Sequence, residues 1–168
     1  TISRRAYMLM ANLIGAKAAD LTMLDTAGKE APLYKVDADF TIICFWDPNC
    51  GHCKEEIPRL DSIYNASWKS MGVKIYSVLT ADSKEDVKKA WLDYIREHHI
   101  EDWINVYPTK EMEEADVAAQ RPSFRQLYDI TMTPTLFLLD KDKNIIAKKL
   151  TWQQLDELLH VKLKNKTN

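Results

Sequence analysis

Apolar and polar positions divide the chain into segments of two different periods. Residues 41–46 form a continuous apolar run, which is typical of a strand buried on both faces of a sheet. Residues 54–70 place an apolar side chain every three or four positions, which predicts an amphipathic helix that stops at Gly72. Pro58 lies inside this helix and is expected to kink it, because proline has no N–H to donate. Residues 73–79 are predicted to form the next strand.

The remaining segments continue the alternation of strand and helix. The pattern predicts a helix opening at residues 83–86, a strand at 103–107, a short helix at 123–128, strands at 135–140 and 145–150, and a final helix capped by residues 151–154. Near the N-terminus, residues 20–25 and 32–36 flank a turn and predict a β-hairpin. Residues 108–122 are polar and acidic without a clear apolar face, so we interpret them as a surface insertion. The order predicts an α/β sandwich around a mixed sheet.

Composition excludes several classes of protein. The chain has 168 residues, enough for one domain with a substantial core. Its 23 basic and 25 acidic residues nearly cancel, so neither nucleic acid nor an anionic membrane is an expected partner. No stretch approaches about eighteen consecutive apolar residues, so no transmembrane helix is predicted.

The first thirteen residues do not fit the domain pattern. Ser3-Arg4-Arg5 and the apolar residues behind it resemble a twin-arginine export signal, but Asn12 and Lys17 interrupt the apolar run. We therefore interpret residues 1–13 as a linker or a remnant of an upstream segment. The chain begins with threonine rather than methionine, which leaves room for an upstream domain.

The chemistry of the sequence is concentrated in its three cysteines, Cys44, Cys50 and Cys53, which fall within ten positions. No distant pair remains to staple a loop, so this is not a disulfide scaffold. Cys50 and Cys53 flank Gly51 and His52 where the first long strand ends and a helix begins. Unpaired N–H groups and the helix dipole favour a thiolate there, and the thiolate is the species that attacks disulfides or binds metals. The spacing lets the second sulfur reach the first, so the pair can close into a disulfide and reopen.

Several motifs together resemble the thioredoxin superfamily. They are Phe45-Trp46 before the cysteines, Pro58 five residues after Cys53, and Thr133-Pro134 just before the second hairpin. More narrowly, the chain is similar to the TlpA/ResA-like thiol–disulfide oxidoreductases exported by bacteria. Glu56 stands where this branch carries a glutamate, in Cys-x-x-Glu-x-Pro, and residues 14–20 resemble its entry motif.

The resemblance implies a fold for residues 14–168. This is the thioredoxin-like fold, a central mixed β-sheet flanked by helices, here with an N-terminal β-hairpin extension. Three positions depart from the family pattern. Asn49 stands where many relatives have tryptophan, His52 where thioredoxins have proline, and Cys44 where thioredoxin has a buried aspartate.

The resemblance also implies roles for particular residues. Cys50, the more N-terminal thiol, is expected to attack, and Cys53 to resolve the mixed disulfide. Glu56 lies three residues after Cys53 on the same helical face and is expected to shuttle its proton. Pro134 is expected to follow a cis peptide bond, with the backbone of Thr133 pairing with an extended substrate segment.

His52 is expected to tune the redox potential. An imidazolium beside the thiolate stabilises the reduced form. A shift of one to two pKa units would raise the potential by about 30–60 mV above a thioredoxin-like value near −270 mV.

The expected function is therefore exchange between a Cys50–Cys53 dithiol and the disulfides of exported proteins, as a reductase or with isomerase-like behaviour. No metal and no cofactor beyond the cysteine pair is expected. The expected partners are protein thiols and disulfides and an unidentified redox partner. The resemblance places the protein outside the cytoplasm, in the periplasm or tethered to the membrane facing it.

Other interpretations of the same residues remain open. Two thiolates could carry copper(I), whereas tetrahedral zinc needs four ligands and no second Cys-x-x-Cys is present. The domain could also be a non-catalytic interaction module, and a peroxidase fits two closely spaced cysteines less well. Glu56 could be a solvated helix residue, His52 could simply fill the loop, and Cys44 could act as a small buried hydrophobe.

Overall fold

The computed structural model describes residues 14–81 and 84–167. The export-signal resemblance and the linker interpretation of residues 1–13 lie outside the described residues. Within them, the strands are β1 Leu24–Asp25, β2 Phe40–Trp46, β3 Val73–Leu79, β4 Ile104–Tyr107, β5 Thr135–Asp140 and β6 Ile145–Lys148. The α-helices are α1 Gly51–Ala66, α2 Glu85–Glu97, α3 Lys110–Ala118, α4 Phe124–Leu127 and α5 Trp152–Thr167.

The strands form one mixed sheet in the order β1-β4-β3-β2-β5-β6. The central strands β2, β3 and β4 are parallel, whereas β5 and β6 continue the sheet antiparallel beside β2, and β1 pairs antiparallel with β4 at the other edge. The predicted mixed sheet with flanking helices is confirmed. The carboxyl end of β2, where the cysteine motif begins, lies in the middle of this sheet.

β2 is buried along its whole length and separates two hydrophobic clusters. Ile42, Cys44 and Trp46 face a cluster to which α1, α2 and α5 contribute. Ile43 and Phe45 face the opposite cluster, which contains residues of the N-terminal segment together with Phe124 of α4 and Tyr128 after it. The continuous apolar run of this strand therefore has the cause predicted from the sequence, namely burial on both faces.

The N-terminal hairpin is only partly a pair of strands. The chain does reverse, since Asp25 N–H donates to Lys29 O and Ala31 N–H donates to Met23 O. However, the second arm carries a 3-10 turn at Leu33–Lys35 instead of a strand. Leu33 N–H still donates to Leu21 O across the hairpin, after which Lys35 N–H and Val36 N–H bond back to Pro32 O and Leu33 O and end the arm in this turn. Leu24 and Asp25, the two residues of β1, pair with β4.

The long helix differs slightly from its predicted bounds. α1 begins at Gly51, runs through Pro58 as one element, and ends at Ala66, after which Trp68–Met71 forms a separate 3-10 turn. Gly72 ends that turn with a φ of 82°, a conformation that favours glycine. The buried side chains of α1 are those of its predicted inner face.

The insertion at residues 108–122 contains α3, with the Thr109 side chain accepting a hydrogen bond from Met112 N–H. Arg125 holds this insertion against the sheet. Its guanidinium donates to Thr80 O at 2.6 Å and Ala81 O at 3.3 Å, and it forms an ion pair with Glu113 at 3.1 Å.

In the described part of the chain, no helix combines the length and the apolar character needed to cross a membrane.

Candidate active site

A tight turn joins β2 to α1. The Asp47 carboxylate accepts a hydrogen bond from Asn49 N–H at 2.9 Å, and the Asp47 carbonyl accepts from Cys50 N–H at 3.1 Å. Cys50 is the N-cap of α1, with extended backbone angles, and its carbonyl accepts from Lys54 N–H. The turn therefore places the Cys50 sulfur beside the first turn of the helix.

Trp46, the last residue of β2, anchors this turn from below. Its side chain is fully buried, and its indole N–H donates to Ser77 Oγ at 2.6 Å. Its carbonyl accepts hydrogen bonds from both the backbone and the side chain of Thr80. The end of β2 is thus tied to the end of β3, and the position of the cysteine motif is fixed by the core.

Cys50 is partly exposed, and its sulfur lies 3.5 Å from the Thr133 carbonyl oxygen. Burial alone would raise the pKa of this thiol. Hydrogen bonds from the Thr133 side chain, from the Cys53 backbone and thiol, and from the His52 backbone outweigh it, so the pKa of Cys50 is lowered from its ordinary value. The Thr133 side chain and the first turn of α1 together therefore favour the thiolate at Cys50.

Cys53 differs from Cys50 in both its burial and the direction of its pKa shift. Its side chain is fully buried on the inner face of α1. Burial raises its pKa from 9.0 to about 12, with a smaller contribution from Cys50, although hydrogen bonds from the Asp47 backbone and the Thr133 side chain act the other way. Under neutral conditions Cys53 therefore remains a thiol.

Cys44 lies in the same buried cluster as Cys53 and is also fully buried. Burial, and secondarily the charge of Cys53, raises the pKa of Cys44 well above its ordinary value. It is therefore an un-ionised, apolar side chain, as expected of a buried cysteine.

The loop that faces Cys50 contains Thr133 and Pro134, and the peptide bond between them is cis. Thr135 Oγ donates to Met132 O at 2.6 Å across this loop, and Met132 itself is 67% exposed. The loop thus brings a free apolar side chain and a backbone carbonyl to the rim of the cysteine motif.

A cavity of about 380 Å³ lies beside this loop. His52 and Glu56 line one side of it, and Lys149 and Trp152 line the other. Glu56 is half-buried and forms an ion pair with Arg59 at 3.5 Å, whereas His52 is exposed. The structure thus places the two predicted α1 residues at the same opening as Thr133.

No sequence motif pointed to Lys149, Trp152 or Tyr94 as functional residues. Lys149, which follows β6, and Trp152, the first residue of α5, line the cavity although they are distant from the cysteines in the chain. Tyr94 is a buried residue of α2, and its hydroxyl has no hydrogen-bond partner within the described residues. The signal that could have pointed to Tyr94 is its residue type, because phenylalanine would fill the same space without a hydroxyl.

Among the described residues, no group of three or more histidine, cysteine, aspartate or glutamate side chains could hold a metal ion.

A buried mixed sheet whose central strand ends in a Cys-x-x-Cys helix start, faced by a cis-proline loop, defines a thioredoxin-like thiol–disulfide oxidoreductase. The chain matches the AhpC/TSA family over residues 14–148 and belongs to that family.

Known relatives agree with this class. The chain is 24% identical over 145 residues to the thiol–disulfide oxidoreductase ResA of Bacillus cereus, covering 86% of this chain and 74% of that protein. A solved domain described as a possible thiol–disulfide isomerase, from Cytophaga hutchinsonii, is 36% identical, with a TM-score of 0.74 over 93% of this chain and 97% of that one. The thioredoxin domain of a thiol–disulfide oxidoreductase from Bacteroides vulgatus is 28% identical, with a TM-score of 0.68 over 88% and 98% of the two chains. The resemblance inferred from the sequence motifs is confirmed.

Proposed function

We propose that the protein exchanges the Cys50–Cys53 dithiol or disulfide with disulfides and thiols of exported proteins. The observation that carries this proposal is the contrast between the two thiols. Cys50 is partly exposed with a lowered pKa, whereas Cys53 is buried three residues later with a pKa raised to about 12. The exposed thiol is thus prepared to attack, and the buried one is reserved for the second step.

The proposed reduction runs in two balanced steps. The Cys50 thiolate attacks one sulfur of a substrate disulfide, and the other substrate sulfur leaves as a thiolate. Cys53 then loses its proton and attacks Cys50, which forms the internal disulfide and releases the second substrate thiolate. Two electrons pass from the protein to the substrate, and the reverse sequence oxidises a substrate dithiol.

Glu56 is the proposed acceptor of the Cys53 proton. It is half-buried at the cavity beside the Thr133 loop, so a carboxylate is available near the motif. Glu56→Gln keeps the shape of the side chain but removes its basicity, and it should slow the second step more than the first.

His52 is proposed to set the reduction potential, and Thr133 is proposed to contact the substrate. The exposed His52 imidazole lies in the first turn of α1, between the two cysteines in the chain, and can stabilise the reduced form when protonated. His52→Pro should therefore lower the reduction potential in an equilibrium titration against glutathione. The Thr133 backbone, beside the Cys50 sulfur, is the proposed pairing site for an extended substrate segment.

Trapping tests this function directly. Cys53→Ser expressed in the source cell should hold partner proteins as mixed disulfides on Cys50, and Cys50→Ser should hold none. Exported proteins among the captured partners would support an extracytoplasmic location. Tight binding of copper(I) without any reduction of insulin disulfides would instead favour a metal carrier, and a Cys50→Ala strain with no altered phenotype would favour a non-catalytic module.

A further inference from the structure

Tyr94 carries a polar group that its structural role does not require. The side chain lies on the inner face of α2 and is 8% exposed. Its hydroxyl is buried and finds no hydrogen-bond partner among the described residues. A buried unpaired hydroxyl destabilises a fold relative to an apolar side chain of the same shape, so packing alone would favour phenylalanine here.

The surroundings of Tyr94 connect it to the cysteine motif. Its ring centroid lies 5.1 Å from that of Trp46, the residue beneath the motif. Tyr94, Cys53 and Cys44 belong to one buried cluster, to which α2, α1 and β2 contribute. The pKa of Tyr94 is raised to about 12, mainly by burial and to a smaller extent by the charges of Cys53 and Cys44. The phenol therefore keeps its proton under neutral conditions and can serve as a donor.

The outer side of the Tyr94 ring lies near a surface opening that is lined by charged side chains. His98 of α2 stacks on it, with the ring centroids 3.9 Å apart. A cavity of about 320 Å³ opens there, lined by Lys54 of α1 and by Asp93 and Glu97 of α2 as well as by Tyr94 and His98. Tyr94 thus lines this opening and also belongs to the buried cluster that contains Cys53 and Cys44.

We propose that the Tyr94 hydroxyl donates a hydrogen bond to the Cys53 sulfur when that sulfur is ionised, and so stabilises the attacking thiolate in the second step of exchange. This inference rests on the proposed function. In that step the Cys53 thiolate attacks Cys50, the internal S–S bond forms, the bond from Cys50 to the substrate sulfur breaks, and the substrate leaves as a thiolate. Tyr94 keeps its own proton throughout and adds a hydrogen-bond donor for the Cys53 thiolate to those of the Asp47 backbone and the Thr133 side chain.

Ellman's reagent separates the two steps. Attack by Cys50 on this aromatic disulfide releases a first coloured thiolate, and resolution by Cys53 releases a second. Tyr94→Phe should leave the first phase unchanged and slow the second about tenfold at neutral pH, which is the scale of one hydrogen bond to a charged group. The midpoint of the second phase should also move to higher pH, a change that a merely structural role would not produce.

Tyr64→Phe is the matched control. Tyr64 is a buried tyrosine of the same cluster, but the charges that act on it are those of Asp102 and Asp61 rather than the thiols. Its substitution should leave both phases unchanged. A second phase of Tyr94→Phe that coincides with wild type at every pH would overturn the proposal, as would an equal effect of Tyr64→Phe.

Two further arms keep the outcome interpretable. If Tyr94→Phe does not fold, wild-type sequence made with fluorotyrosine replaces it: the more acidic phenol should accelerate the second phase, and an unchanged rate would refute the inference. A wild-type protein that shows no second phase contradicts the proposed dithiol function itself. A normal wild type with an unaffected Tyr94→Phe contradicts only the role of Tyr94.

Discussion

The protonated state of Cys53 should be visible as a pH-dependent loss of stability. Burial raises its pKa from 9.0 to about 12. Since the folded chain holds this proton more tightly than the unfolded chain, the stabilisation is complete below pH 9 and disappears as the pH rises towards 12. Each unit in this window corresponds to about 1.4 kcal/mol, and the whole shift to about 4 kcal/mol.

The measurement is urea unfolding of the reduced protein, followed by tryptophan fluorescence in the presence of a strong reductant. Other buried groups, notably Cys44 and Tyr94, also lose stabilisation at alkaline pH. The informative quantity is therefore the difference in unfolding free energy between wild type and Cys53→Ala. Because Cys53 of the unfolded chain, with a pKa of 9.0, is already half ionised at pH 9, this difference should shift against wild type by about 1 kcal/mol between pH 9 and pH 10.

Cys50→Ala provides a control of opposite sign. The folded pKa of Cys50 is lowered, so its contribution is present above the unfolded pKa and is lost as the pH falls. Above pH 9, the unfolding free energy of wild type should therefore not fall relative to that of Cys50→Ala. If the Cys53→Ala difference stays constant from pH 8 to pH 10, Cys53 titrates as in the unfolded chain, and the contrast between the two thiols is refuted.

Three other predictions concern single side chains. Thr133→Val should raise the pKa of Cys50, because a hydrogen bond to its sulfur is lost. Alkylation of Cys50 by iodoacetamide at neutral pH should therefore slow in this variant, whereas the rate for Thr133→Ser should stay near that of wild type. An unchanged rate for the valine variant would contradict this role. Mass spectrometry after native alkylation should find Cys44 unmodified, and early modification of Cys44 would show that its strand opens. Gly72→Ala should lower the unfolding free energy by about 1–3 kcal/mol, because φ is positive and the added Cβ would lie 2.4 Å from Asp39 Oδ2; equal urea midpoints would count against it.

Local sequence signals were sufficient for the elements that surround the cysteine motif. The apolar run of β2 predicts burial on both faces, and its apolar side chains do alternate between the two clusters. The Ser123 and Thr151 capping residues mark the beginnings of α4 and α5, and both make reciprocal hydrogen bonds with the glutamine three residues later. These features depend on neighbours in sequence, so they can be inferred without tertiary information.

Features that depend on distant contacts could not be derived in the same way. The second arm of the N-terminal hairpin has strand-like alternation, but Leu33–Lys35 forms a 3-10 turn between Pro32 and Val36. The unpaired hydroxyl of Tyr94 becomes evident only when α2 is packed against β2 and α1. Apolar periodicity shows that a tyrosine faces inward, but not what its oxygen meets.

The contacts of Arg125 have a consequence for engineering this scaffold. One guanidinium satisfies two carbonyls that follow β3 and a carboxylate of α3. Excising residues 108–122 and splicing a short loop in their place would strip the guanidinium of its counter-ion and leave a half-covered positive charge against the sheet. A minimised version of the domain therefore needs a neutral donor such as glutamine at position 125, chosen together with the deletion.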